Sequence, residues 1–98
     1  MKSIIFSKEK IKDYCRRNHI RKLSLFGSVL RPDFGPDSDV DVLIEFEDGY
    51  VPGFFRLVDM EEELSSIMDG RKVDLRTAQD LSRYFRDEVI ANAELQYP

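Results

Sequence analysis

The run Asp39-Val40-Asp41-Val42-Leu43-Ile44-Glu45-Phe46 constrains this chain more than any other segment. It alternates with a period of two, so it reads as a β-strand with two unlike faces. Val40, Val42, Ile44 and Phe46 share one face, and Asp39, Asp41, Leu43 and Glu45 share the other. The apolar face needs helices packed on it, because β-branched side chains stabilise a fold only when removed from water. The acidic face poses a different question. Aspartate is a poor strand former, so two of them in an otherwise apolar run require a reason.

The neighbouring segments supply the cover. Ser7 is placed as an N-cap, Phe6 and Ile11 have the spacing of a hydrophobic staple, and Ile11, Tyr14 and Cys15 follow a helical stripe to about Asn18. His19, just past that helix, reads as a C-terminal cap or a surface group. Lys22 to Phe26 alternates as a strand and ends at Gly27-Ser28. Val29 to Ser38 holds Pro32, Gly35 and Pro36, which predicts a short helical turn followed by a loop. Glu47-Asp48-Gly49 and Pro52-Gly53 close the acidic strand.

From Phe54 to Asp69 the period becomes helical, with Leu57, Met60 or Glu61, Leu64, Ile67 and Met68 near one stripe and Gly70 as the stop. The methionines and phenylalanines of this helix are expected in the core. Arg71 to Arg76 forms a third strand, with Val73 and Leu75 opposite Asp74. A last helix is predicted from about Ser82 to Leu95, carrying Phe85 and Val89 on one face. This order predicts an α/β (α+β) fold, a small mixed sheet flanked by helices. A chain of 98 residues has room for one such unit, so residues 1–98 are expected to form one domain.

Composition removes several function classes. The net charge of −4 argues against a dedicated nucleic-acid binder, which needs a strongly basic surface to displace counterions. Lys8, Lys10, Lys12, Arg16, Arg17, Arg21 and Lys22 do cluster early, as a solvated helix face would. No apolar run approaches the roughly 20 residues that span a bilayer. The opening apolar residues also meet Ser7-Lys8-Glu9-Lys10 too soon for a signal peptide. Cys15 is the single cysteine, so an internal disulfide framework is excluded and a cytoplasmic location is expected. One histidine and one cysteine also fall short of a zinc-hydrolase or cysteine-nucleophile set.

Asp39 and Asp41, two apart on a strand, lie about 6.6–6.8 Å apart at Cα and point the same way. Two bare carboxylates about 5 Å apart repel by roughly 3 kcal/mol at an effective dielectric of 20, and a divalent cation reverses that sign. Mg²⁺ suits such a pair, since it takes oxygen ligands and is often held by one or two carboxylates plus phosphates. Solvent-facing acids on an edge strand are the equal alternative. Gly27-Ser28 is by itself a turn signal, although a glycine lets backbone approach a phosphate and the serine hydroxyl can donate.

Taken together, Gly27-Ser28, a ten-residue spacer and Asp39-Val40-Asp41 resemble the signature of the DNA polymerase beta-like nucleotidyltransferase superfamily. The longer runs Leu25-Phe26-Gly27-Ser28-Val29-Leu30-Arg31 and Asp37-Ser38-Asp39-Val40-Asp41-Val42-Leu43 resemble its minimal nucleotidyltransferase branch, which includes the MntA antitoxins paired with HEPN-domain toxins. One departure is Pro32, where glycine often follows the arginine.

The resemblance implies a polymerase beta-like core and a third acid on a neighbouring strand, a place that Asp74 occupies in sequence order. It implies catalytic and metal-binding roles for Asp39, Asp41 and Asp74, with a pair of Mg²⁺ ions as cofactor and ATP as donor. Gly27, Ser28, Arg31 and Ser38 fall on the nucleotide side. Arg31 could equally pair with Asp33 or Asp37, and Lys72, Arg76, Arg83 and Arg86 receive no role. The implied activity is transfer of AMP from ATP to a tyrosine of a HEPN ribonuclease toxin, within a hetero-oligomer. The rivals are a catalytically silent antitoxin that acts by occlusion, and an enzyme modifying a small-molecule or RNA hydroxyl.

Overall fold

The computed structural model describes residues 6–33, 35 and 37–98. The opening residues 1–5 and Pro36 of the spacer, both read above, lie outside the described residues. Helix α1 (Lys8–Arg17) starts where Ser7 Oγ accepts the Lys10 N–H at 3.2 Å, satisfying one donor that the helix itself leaves open. Ile11, Tyr14 and Cys15 are buried along α1, and Phe6 packs against the same core. His19 has a left-handed φ of 57° and turns the chain into β1 (Ile20–Phe26).

After a short 3₁₀ turn (Gly27–Leu30) and the spacer loop, β2 (Val40–Phe46) runs antiparallel to β1. Leu23 pairs with Ile44 and Leu25 with Val42, so both apolar stripes share one side of the sheet. Helix α2 (Phe54–Ile67) then carries the chain back, and β3 (Val73–Arg76) lies parallel to β2. A parallel pair needs a crossover of this kind. Helix α3 (Arg86–Asn92) leads to β4 (Glu94–Tyr97), antiparallel to β1, and the sheet order is β3-β2-β1-β4.

The two long helices cover the apolar side of this sheet. Val40, Val42, Ile44, Leu23, Leu25 and Val73 meet Ile11 and Cys15 of α1 and Met60 and Leu64 of α2 in one buried cluster. Tyr14 ties the helices together, its hydroxyl donating to the Met60 carbonyl at 2.9 Å. Burial raises the Tyr14 pKa further above its ordinary value and pushes the Cys15 thiol up to about 12. Cys15 is therefore a core residue with no thiolate to offer near neutral pH. The buried Asn18 is satisfied as well: its amide donates to the Tyr14 carbonyl at 2.8 Å and accepts from Arg56.

Two expectations are corrected. Phe54 and Phe55 are not core residues but 72% and 82% exposed, stacked edge-on at 5.6 Å. The buried stripe runs through Met60 and Leu64 of α2 and Met68 at its C-cap, with Leu57 partly buried against it, so Phe54 and Phe55 precede the part that packs. The last helix is also much shorter than Ser82 to Leu95, with no buried residue, and Tyr84 and Phe85 stand 85% and 50% exposed. Ala93 is extended, and residues 94–97 pair with β1, placing Tyr97 against the core. The second edge of β1 offers hydrogen bonds that outweigh a weak helical pattern, and Pro98 disfavours helical geometry at Tyr97.

Leu64→Ala is expected to cost about 2–5 kcal/mol of stability by removing a fully buried side chain. Phe55→Ser is expected to stay within about 0.5 kcal/mol of the parent. Urea denaturation of both variants checks the pair.

Candidate active site

The sheet side that α1 and α2 leave uncovered holds the candidate residues. Along β2, Asp41, Leu43 and Glu45 alternate with the buried valines and isoleucine. On β1, Phe26 pairs with Asp41 and Ser24 with Leu43, and on β3, Asp74 pairs with Asp41 and Arg76 with Leu43. Residues paired across a ladder face the same side. Asp41 and Asp74 are thus direct neighbours, although 33 positions separate them in the chain. Asp39 stands just before β2 and is exposed.

Gly27 and Ser28 close on these acids from the end of β1. Gly27 has a φ of 69°, a conformation that L side chains rarely adopt, and a Cβ there would collide with Asp41 Oδ2. The Ser28 N–H donates to Asp41 Oδ2 at 3.2 Å, and its hydroxyl donates to the Asp39 carbonyl at 2.8 Å and lies 3.4 Å from Asp41 Oδ2. Asp41 therefore has donors on one side and Asp74 on the other. Asp74 in turn accepts a hydrogen bond from Arg76 Nη2 at 3.1 Å, and this partner raises the Arg76 pKa.

The remaining sequence candidates lie in and before the spacer. Arg31 is exposed, its N–H closing the 3₁₀ turn on the Ser28 carbonyl at 3.0 Å. Among the described residues, the ion pairs include none between Arg31 and Asp33 or Asp37. Ser38 Oγ accepts the Gly35 N–H at 3.1 Å, so its oxygen shapes the loop. Arg71, which sequence reasoning missed, reaches the carbonyls of Gly35 and Ser38 at 3.3 and 3.5 Å. Its signal was faint, since a basic residue after a helix stop has many possible uses. Glu61, also missed, accepts the Leu75 N–H at 2.9 Å and so caps the outer edge of β3.

Among the described residues, no three acidic, histidine or cysteine side chains are already arranged to hold a metal ion. The donor set nevertheless fits a hard cation. It consists of carboxylate oxygens, two of them on register-paired residues, and Mg²⁺ takes one or two carboxylates while keeping water and phosphate oxygens. A groove of about 690 Å³ opens on the same side of the sheet, lined by Ser24, Leu43, Tyr50, Asp80 and Ala93. It begins one alternation beyond Asp41 and leaves the three acids outside its lining.

Comparison with known proteins agrees with this architecture. The profile of the family described as "Polymerase beta, Nucleotidyltransferase" matches residues 9–97. The protein adenylyltransferase MntA of Thermococcus cleftensis is 36% identical over 64 residues, 65% of this chain and 62% of that protein. The match thus spans less than two thirds of that relative's length. A solved minimal nucleotidyltransferase superposes with a TM-score of 0.70 at 28% identity, covering 88% of this chain and 85% of its own. A chain from a crystal structure of a toxin-antitoxin with AMP-PNP gives a TM-score of 0.72 at 20% identity, covering 93% and 73%, and shares the fold. Among the described residues, no helix is long and apolar enough to cross a membrane. A profile match that runs from α1 to β4, over a mixed sheet of this order, means that the chain belongs to the polymerase beta-type nucleotidyltransferase family.

Proposed function

We propose that this chain is a magnesium-dependent nucleotidyltransferase that moves AMP from ATP to a hydroxyl of a partner protein. The observation that carries this reading is the register pairing of Asp41 with Asp74 beside the Gly27–Ser28 turn. Register-paired carboxylates repel, and although Arg76 offsets part of the charge on Asp74, a divalent cation shared by both acids would turn the repulsion into attraction. Asp39, Asp41 and Asp74 would hold Mg²⁺. When bound, Mg²⁺ would neutralise phosphate charge and stabilise entering and leaving oxygens.

The chain's own residues have separable tasks. Gly27 and Ser28 are assigned to the nucleotide phosphates, where the absent Cβ permits close approach and the Ser28 donors would exchange their present acceptors, Asp41 Oδ2 and the Asp39 carbonyl, for phosphate oxygens. Arg31 and Ser38 are assigned to the same nucleotide side, with the Arg31 guanidinium exposed and able to meet triphosphate charge. Asp74 accepts the proton of the attacking hydroxyl. The new bond joins the acceptor oxygen to the α-phosphorus, the bond to the β-phosphate breaks, and pyrophosphate leaves. The adenylyltransferase relative supports ATP as donor and protein as acceptor. The toxin-antitoxin relative supports a toxin partner, which we identify with a HEPN-type ribonuclease modified on tyrosine. A hetero-oligomer in the cytoplasm follows from that assignment.

Mixing this protein with the product of the adjacent gene, ATP and Mg²⁺ is expected to add one or more AMP groups to the partner, read by intact mass. Asp39→Asn with Asp41→Asn should lower that transfer at least about a hundredfold. If inhibition of the partner survives this double change, occlusion rather than transfer is the mechanism. Chelation by EDTA should stop labelling, and added Mg²⁺ should restore it. Gly27→Ala should cost about 1–3 kcal/mol of stability in urea titrations through backbone strain. It should also slow transfer about a hundredfold by displacing Asp41.

A further inference from the structure

Arg76 lies two residues beyond Asp74 on β3 and shares its side of the sheet. Its guanidinium donates to Asp74 Oδ2 at 3.1 Å, with the two side chains 46% and 39% exposed. Asp41 and Asp80 also act electrostatically on this guanidinium. The two register-paired carboxylates therefore have unlike partners. Asp41 is served by neutral donors of Ser28, whereas Asp74 is served by a cation. A divalent ion shared by these acids meets a positive charge already seated on Asp74, and the two repel. Arg76 occupies one lone-pair site on Oδ2 and lowers the negative charge that a cation meets at Asp74.

We propose that Arg76 is a positioning residue acting through Asp74: it holds the third acid in the metal-free protein and competes with the divalent cation for it. This rests on the reading of Asp39, Asp41 and Asp74 as metal-binding acids. Two effects of opposite sign follow from removing the guanidinium. The metal-free fold loses a counter-charge beside Asp41 and Asp74 and becomes less stable. The divalent cation finds Asp74 unencumbered and binds more tightly. An ion pair with a purely structural purpose produces the first effect without the second.

The test uses Mn²⁺ alone as probe, followed by electron paramagnetic resonance, with melting temperatures taken with and without the ion. Arg76→Gln is expected to tighten Mn²⁺ binding about three- to fivefold, the scale of a half-exposed ion pair. It should lower the metal-free Tm while enlarging the rise that Mn²⁺ induces. Arg76→Lys, which keeps the charge, should retain the parent affinity, and in the Asp74→Asn background Arg76→Gln should tighten binding less than it does in the parent. Unchanged or weaker Mn²⁺ binding in Arg76→Gln, with the parent binding normally, overturns the role of Arg76. If the parent shows no Mn²⁺ binding that Asp41→Asn or Asp74→Asn removes, both this role and the metal reading of the acids fall together.

Discussion

The register of β3 against β2 is the constraint on which the rest depends. It is set on the covered side of the sheet, where Val40 pairs with Val73 and both are buried under α1 and α2. Because side chains alternate, fixing the apolar side fixes the other side too. Asp41 and Asp74 are consequently held together by packing that neither acid takes part in. A slip of one residue would expose the valines and bury an aspartate, so the hydrophobic core opposes any relaxation of the like-charge pair.

The Gly27–Ser28 turn completes this arrangement from the other neighbour of β2. Antiparallel pairing of Phe26 with Asp41 ends β1 beside the acids, and the left-handed glycine brings the Ser28 amide onto Asp41. The contact needs both the positive φ and the missing Cβ, so one residue type meets two demands. Arg71 secures the far end of the spacer by reaching back to Gly35 and Ser38. The loop between Gly27 and Asp39 is thus anchored at both ends, which suits a surface that receives a ligand.

Outside the site the surface is uneven. Val51, Phe54 and Phe55 are exposed near the start of α2, and Tyr84, Phe85, Ile90 and Leu95 toward the C-terminal end. Family membership concerns the core of sheet and helices, whereas acceptor choice belongs to surfaces and grooves added to it. The groove that begins beyond Asp41 has one wall from the loop containing Tyr50 and another from Thr77 to Asp80. Neither wall belongs to the Gly-Ser and Asp-x-Asp motifs that carried the resemblance.

Local pattern determined the helices α1 and α2 and the strand β2 with its two faces. Each of these depends on periodicity or capping within a few residues, as with Ser7 and Gly70. Residue spacing alone left Asp39 and Asp41 open to a solvated reading, and the family resemblance supplied the place of Asp74. What only the tertiary structure decided is where distant segments meet. Asp74 lies beside Asp41 through ladder register, Arg76 is committed to Asp74, and residues 94–97 leave a helical pattern to pair with β1. Phe54 and Phe55 likewise lie exposed because the packed part of α2 begins beyond them. These outcomes depend on hydrogen-bond partners and packing surfaces contributed by residues far away in the chain, which no window of local sequence contains.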